Sequence, residues 1–145
     1  MLFLWIFGNN VEDTLGRIRY LIFYLGAGVV AAVTQTLVTV ATASTAGASV
    51  PNVGASGAIA GVLGAYFILL PRAKVVTLVL GFIPVPIPAM LFLGFWFVFQ
   101  LWEGGGSLTV PQSGGGTAFF AHVGGFVFGI LVVKLFRLRA PVQPR

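Results

Sequence analysis

The chain has no cysteine. Disulfides and thiolate metal sites are excluded, and every compartment stays compatible on redox grounds. Charge is nearly as scarce: 8% of the 145 residues are Asp, Glu, Lys or Arg, where soluble chains average about 25%. There are three acids and one histidine. A soluble core in so short a chain cannot bury side chains that are 58% hydrophobic. Segments alternating between polar and apolar, the mark of a transmembrane β-barrel, are missing as well. The apolar runs are unbroken, and they indicate an all-α polytopic membrane protein. Nothing in the pattern asks for a cofactor or a metal.

What is present begins with those runs. Met1 to Phe7 is an apolar half-span, too short to cross, without the basic start or cleavage site of a signal peptide. It reads as the end of a helix whose beginning is missing. Gly8-Asn9-Asn10 reads as a stop, and Val11 to Arg19 as a loop holding Glu12 and Asp13. Tyr20 to Ala41 is uncharged and long enough for a bilayer core of about 30 Å, which takes roughly 20 helical residues. Thr34, Gln35 and Thr36 lie in its second half. The hydroxyls are expected to bond back to their own helix and Gln35 to a neighbouring helix; a place in the functional site is the other reading.

Thr42 to Asn52, rich in small polar residues, reads as a loop, and Val53 to Leu70 as a span ending at Pro71-Arg72-Ala73-Lys74. Val75 to Trp102 is uncharged but broken by Pro84, Pro86 and Pro88, which remove donors and favour extended backbone. Val75 to Pro88 is expected to be interfacial or partly re-entrant, and Ala89 to Trp102 a short aromatic span. Glu103 to Gly116, with glycine triplets at Gly104-Gly105-Gly106 and Gly114-Gly115-Gly116, reads as a flexible loop. Thr117 to Phe136 is the last span, and residues 137–145 form a short basic cytoplasmic tail. Residues 1–145 make one transmembrane domain, with four full helices and a partial N-terminal one.

Basic residues gather on the cytoplasmic side of spans. Arg17 and Arg19 precede the first full span, Arg72 and Lys74 follow the second, and Lys134, Arg137, Arg139 and Arg145 end the fourth. Alternating sides place all eight Lys and Arg together. The net charge of +5 is then a matter of membrane orientation, with the lipid bilayer as partner and no nucleic acid implied. A bacterial inner membrane is the expected home, with basic loops and C-terminus cytoplasmic. Ser56 and His122 both begin helices descending from the opposite, outer face.

A serine hydroxyl is a poor nucleophile until a base takes its proton, and His122 is the only imidazole available. Gly57-x-x-x-Gly61 and Gly125-x-x-x-Gly129 place small residues at helical spacing, which lets two backbones approach closely. Ionisable groups inside a membrane are costly and point to function. His122 has two readings on these grounds: the base of a Ser-His dyad, or a structural histidine bonded to a backbone carbonyl.

Gly54-Ala55-Ser56-Gly57, taken with Ala121-His122-Val123-Gly124-Gly125-Phe126-Val127-Phe128-Gly129, resembles the rhomboid family of intramembrane serine proteases. The family pattern is G-x-S-G on one span and A-H-x-x-G-x-x-x-G on the last. Gly8, Glu12 and Gly16 match its G-x-x-x-E-x-x-x-G. The resemblance covers nearly the whole chain in order. It implies a rhomboid-like bundle, six spans in the complete fold, and cleavage of peptide bonds in transmembrane protein substrates. Ser56 is implied as nucleophile and His122 as general base and then acid. The Ser56 N–H, with Gly54 beside it, is implied at the oxyanion site, and Gly57 and Gly125 in the contact between helices. The Ala89–Trp102 helix and the loop after it resemble the family's lateral gate and cap.

Three departures accompany the match. The family's first span and part of its second, with a histidine and an asparagine that help hold the oxyanion, have no counterpart in these residues. Many members carry an aromatic residue four positions after the nucleophile, stacked on the histidine; here it is Ala60. An N-terminally incomplete domain is therefore expected. The alternative function is a non-catalytic rhomboid-like protein that binds transmembrane segments, inactive through loss of the N-terminal region. A small transporter or channel subunit ranks last, because no internal repeat and no further intramembrane charge is present apart from a terminal Lys134.

Overall fold

The computed structural model describes residues 2–42, 55–79, 81–109 and 118–136. In chain order these form α1 (Leu2–Leu15), α2 (Arg17–Thr42), α3 (Ser56–Leu69), β1 (Lys74–Val79), β2 (Ile83–Pro88), α4 (Ala89–Thr109) and α5 (Phe119–Phe136). The protein is helical, as expected, with one two-stranded hairpin among its helices. Residues 43–52 of the loop expected over Thr42 to Asn52, residues 110–116 of that expected over Glu103 to Gly116, Val53 and Gly54 at the start of the expected second full span, and the basic tail lie outside the described residues.

The first correction is α1. It runs through Gly8-Asn9-Asn10 and on to Leu15, where a loop was expected. Phe7, Val11 and Leu15 fall four residues apart and are all fully buried. This stripe continues the helical period past the polar residues, and Asn9 and Asp13 turn outward. Thr14 Oγ1 donates to the Asn10 carbonyl at 2.9 Å, which satisfies a hydroxyl inside the stripe. The chain breaks only at Gly16, whose φ of 81° suits a residue without a Cβ. α2 then starts at once.

The second correction is Val75 to Pro88, which forms an antiparallel hairpin. Val76 faces Pro86 and Leu78 faces Pro84, so Val75–Ile87, Thr77–Val85 and Val79–Ile83 are the pairs that exchange hydrogen bonds. Proline lacks an N–H, and in this register the missing donors all lie on the outer edge of β2. The alternate prolines give extended backbone, as their chemistry requires, but as a paired strand. Ala89 N–H donates to the Ala73 carbonyl at 2.7 Å and closes the base of the hairpin.

The third correction is α4, which passes through Gly104-Gly105-Gly106 to Thr109. A Cβ on Gly104 would lie 3.3 Å from Phe119 and from the Phe120 ring. Docking against the start of α5 keeps this turn helical although glycine alone disfavours it.

α3 sits at the centre, packed against α1, α2, α4 and α5. It is apolar on every face and largely buried, as a central helix should be. Gly57 meets Ala31 and Gly61 meets Ala27, so α2 runs antiparallel to α3. Gly57 meets Ala121, and Gly64 meets Phe126, so α5 runs parallel to α3. Phe126 is buried in an aromatic cluster with Phe67, Trp96 and Phe97, their ring centroids 5.8, 5.9 and 4.6 Å away. These directions bring Arg17, Arg19, Arg72, Lys74 and Lys134 to one end of the bundle, and Ser56 and His122 to the other.

The outside is apolar. Leu21, Leu25, Val29, Leu37, Phe95 and Leu135 are among many exposed large hydrophobic residues, the surface that lipid tails cover. Among the described residues α2 and α5 are long and apolar enough to cross a membrane, against four full spans expected. α3 has 14 residues, about 21 Å of helix at 1.5 Å per residue. α4 is longer, but Gln100, Glu103 and three glycines dilute its apolar character.

Candidate active site

Ser56 is the first residue of α3, and its side chain is exposed. The opening N–H groups of a helix have no partner inside it. No side chain caps this end, and the first backbone bond is Ile59 N–H to the Ala55 carbonyl at 3.0 Å. The serine thus sits beside N–H groups that have no partner within the helix, at its positive end.

The contact between α3 and α5 is made by backbone. A Cβ on Gly125 would strike the Gly57 carbonyl, and one on Gly129 the Gly61 carbonyl. A Cβ on Gly57 would come within 3.3 Å of the Ala121 carbonyl. The residue after Ser56 therefore touches the residue before His122, and the first turns of both helices lie side by side. Gly64 extends the contact: a Cβ there would strike the Phe126 carbonyl. Gly124 faces the other way, against the Thr34 side chain of α2.

α2 supports the start of α5. Gln35 Oε1 accepts from the Ala121 N–H at 3.2 Å, an 86-residue separation in sequence. Thr34 and Thr36 hydroxyls donate to carbonyls one turn back, at Val30 and Ala32, both at 2.8 Å. The hydroxyls serve their own helix, while the Gln35 amide serves both: its oxygen holds α5 and its Nε2 donates to Thr39 Oγ1 of α2 at 3.3 Å.

His122 is half-buried and engaged by α4. Its Nδ1 lies 2.7 Å from Gln100 Oε1. The Trp96 ring covers it, with centroids 5.8 Å apart and planes tilted by 39°. Trp96 and Gln100 are four residues apart on one face of α4. Ala60, where an aromatic neighbour of the histidine was looked for, is buried and holds no ring; α4 supplies the aromatic surface instead. Sequence reasoning missed both residues. A signal for Gln100 existed: it is the one amide in the run from Ala89 to Trp102, and a strongly polar group there needs a partner. Trp96 had none, since it is one aromatic among six in that run.

Comparisons with known proteins identify the family. A family profile described as the rhomboid domain matches residues 1–139. "Rhomboid protein 1, mitochondrial" of Saccharomyces cerevisiae is 29% identical over 133 residues, covering 90% of this chain and 35% of that protein. "Presenilin-associated rhomboid-like protein, mitochondrial" of Homo sapiens is 31% identical over 139 residues, covering 92% of this chain and 32% of its own length. The Mus musculus protein of that name is 32% identical over 136 residues, covering 90% and 31%. The chain thus spans about a third of the length of the curated relatives it matches. No solved structure matches it. The expected bacterial inner membrane is overturned: these relatives are mitochondrial. Basic residues at one end report orientation in a bilayer and carry no information about which organelle holds it.

Proposed function

The chain belongs to the rhomboid family, and from that premise we propose that it is an intramembrane serine endopeptidase of a mitochondrial membrane, with Ser56 as nucleophile and His122 as base. The substrates are membrane-anchored proteins. One observation carries the reading. The backbone contact of Gly57 with Ala121 and Gly125 sets the first turn of α3 beside the first turn of α5, and the nucleophile and base types stand on those turns.

The chemistry is acyl transfer. The imidazole takes the Ser56 proton as Oγ attacks the scissile carbonyl carbon. The carbonyl oxygen becomes an oxyanion, and the N–H groups at the start of α3, which have no partner within the helix, are donors suited to it. The imidazolium then gives its proton to the leaving amine, and the C–N bond breaks. Water, deprotonated by the same imidazole, attacks the ester, and Ser56 regains its proton. Gly57 and Gly125 keep α5 against α3.

The test is cleavage of a transmembrane reporter by the purified protein in liposomes. Ser56→Ala and His122→Ala are expected to lower kcat by several orders of magnitude. Cleavage by Ser56→Ala at the unsubstituted rate overturns the reading.

A further inference from the structure

His122 is the only histidine in the chain, and two side chains from a single helix face hold it. Trp96 covers the ring. Gln100 meets Nδ1 at 2.7 Å and is itself 7% exposed. A buried amide on an aromatic helix is costly when unpaired, so the pairing explains how the bundle tolerates it. We infer that Gln100 is a positioning residue that locks His122 in the Nδ1–H tautomer and so directs the Nε2 lone pair to the site. The catalytic consequence rests on the protease reading; the tautomer does not.

The reasoning is one of donor and acceptor inventory. A neutral imidazole has one N–H and one lone pair, on different nitrogens. The Gln100 oxygen only accepts, so the nitrogen facing it must carry the hydrogen. Nε2 is then the basic nitrogen. A separation of 2.7 Å lies in the range of N–H···O bonds. The reverse arrangement, with the amide N–H donating to Nδ1, would put the ring hydrogen on Nε2. Here it is Oε1, not the amide nitrogen, that faces Nδ1 at 2.7 Å, so the arrangement present is the one with hydrogen on Nδ1. In hydrolases with an acid in this place, a carboxylate orients the ring and also stabilises its charged form. A neutral amide does only the first. Trp96 limits rotation of the ring about its Cβ–Cγ bond, so the edge contact and the face contact act together. Both come from α4, and the geometry of the base therefore depends on how α4 packs against α5.

The experiment uses histidine-selective 15N labelling of the whole protein in micelles, above the pH at which the imidazole is protonated. With a single histidine, one pair of ring-nitrogen signals reports the tautomer directly. The unsubstituted protein is expected to show Nδ1 protonated and Nε2 bare. Gln100→Leu should shift the population toward Nε2–H, and Gln100→Glu, which keeps an acceptor oxygen, should restore Nδ1–H. In the reporter assay Gln100→Leu should lower kcat up to about 100-fold, within the range that general base catalysis supplies, with KM changed less than about twofold. An Nε2–H tautomer in the unsubstituted protein overturns the inference, and this result needs no variant to fold. A Gln100→Leu spectrum identical to the unsubstituted one overturns it too. Unchanged kcat in a variant whose tautomer has switched overturns the catalytic part. An Nδ1–H spectrum in a protein that cleaves nothing leaves the positioning intact and removes the protease reading, so the two failures are distinguishable.

Discussion

A carbon added to Gly125 would land on the Gly57 carbonyl, which is backbone and has nowhere to go. Gly125→Ala must therefore push α3 and α5 apart. Overpacking of this kind costs about 1–3 kcal/mol, and it separates the turns that bear Ser56 and His122. We expect a lower melting temperature in detergent and reporter cleavage reduced at least about tenfold, since small misplacements of reacting groups are expensive in rate. Gly105→Ala is the counterpart: among the described residues a Cβ there meets nothing within 4 Å, and alanine in a helix gains about 0.5–1 kcal/mol over glycine. That variant should melt at the same temperature or higher. Gln35→Leu removes the acceptor for the Ala121 N–H, which keeps its bond to the Ala118 carbonyl at 3.1 Å. The loss should stay near the low end for a hydrogen bond, about 0.5–1.5 kcal/mol, and appear as faster amide exchange at Ala121. The paired glycines were legible as small residues at helical spacing. That Gly124 faces Thr34 while Gly125 faces Gly57 was not, because the facing depends on where three helices sit around α5.

Elements followed burial where local signals pointed elsewhere. Gly8-Asn9-Asn10 resembles a stop, yet Phe7, Val11 and Leu15 hold a single helix across it. The actual break is Gly16 at φ 81°. Left-handed backbone costs a residue with a Cβ about 1–2 kcal/mol, so Gly16→Ala should lower stability by that amount. Denaturant titration of the purified protein checks it, and a loss below about 0.3 kcal/mol would contradict the strain argument. The prolines of β2 carry the other element-scale prediction. Open strand edges recruit further strands, and here the outer edge lacks donors at Pro84, Pro86 and Pro88. Pro86→Thr restores one donor on that edge. We expect a larger high-molecular-weight fraction on size exclusion, and unchanged elution would show that the edge is protected by other means.

The molecule as a whole is apolar outside as well as inside, unlike a soluble domain. The seams of α3 with α2 and α5 are packed with glycine and alanine, Phe7, Phe23, Leu63 and Phe126 fill the core beside them, and Leu21, Leu25, Val29 and Leu37 of α2 stand outside. Between helices in lipid, close backbone packing replaces the hydrophobic drive. Leu25 is 58% exposed, so Leu25→Arg should leave internal packing intact and oppose insertion. A charge at the centre of a span costs about 2.5–3.5 kcal/mol on insertion scales. The expected outcome is a clear fall in the carbonate-resistant membrane fraction, with Leu25→Ala close to the unsubstituted protein.

Composition alone determined that this chain belongs in a bilayer, because so few charges and such long apolar runs leave no soluble solution. The order of basic and apolar segments determined which ends of the helices share a side, since each crossing reverses direction. The motifs around Ser56 and His122 carried the family resemblance. Only the tertiary structure decided that α4 continues through its glycine triplet, that three prolines line one strand of a hairpin, and that Trp96 and Gln100 hold the imidazole. Each of these depends on contacts between segments far apart in the chain. A buried amide is costly wherever it occurs, and the run from Ala89 to Trp102 cannot say which neighbour relieves that cost until α5 is packed against it.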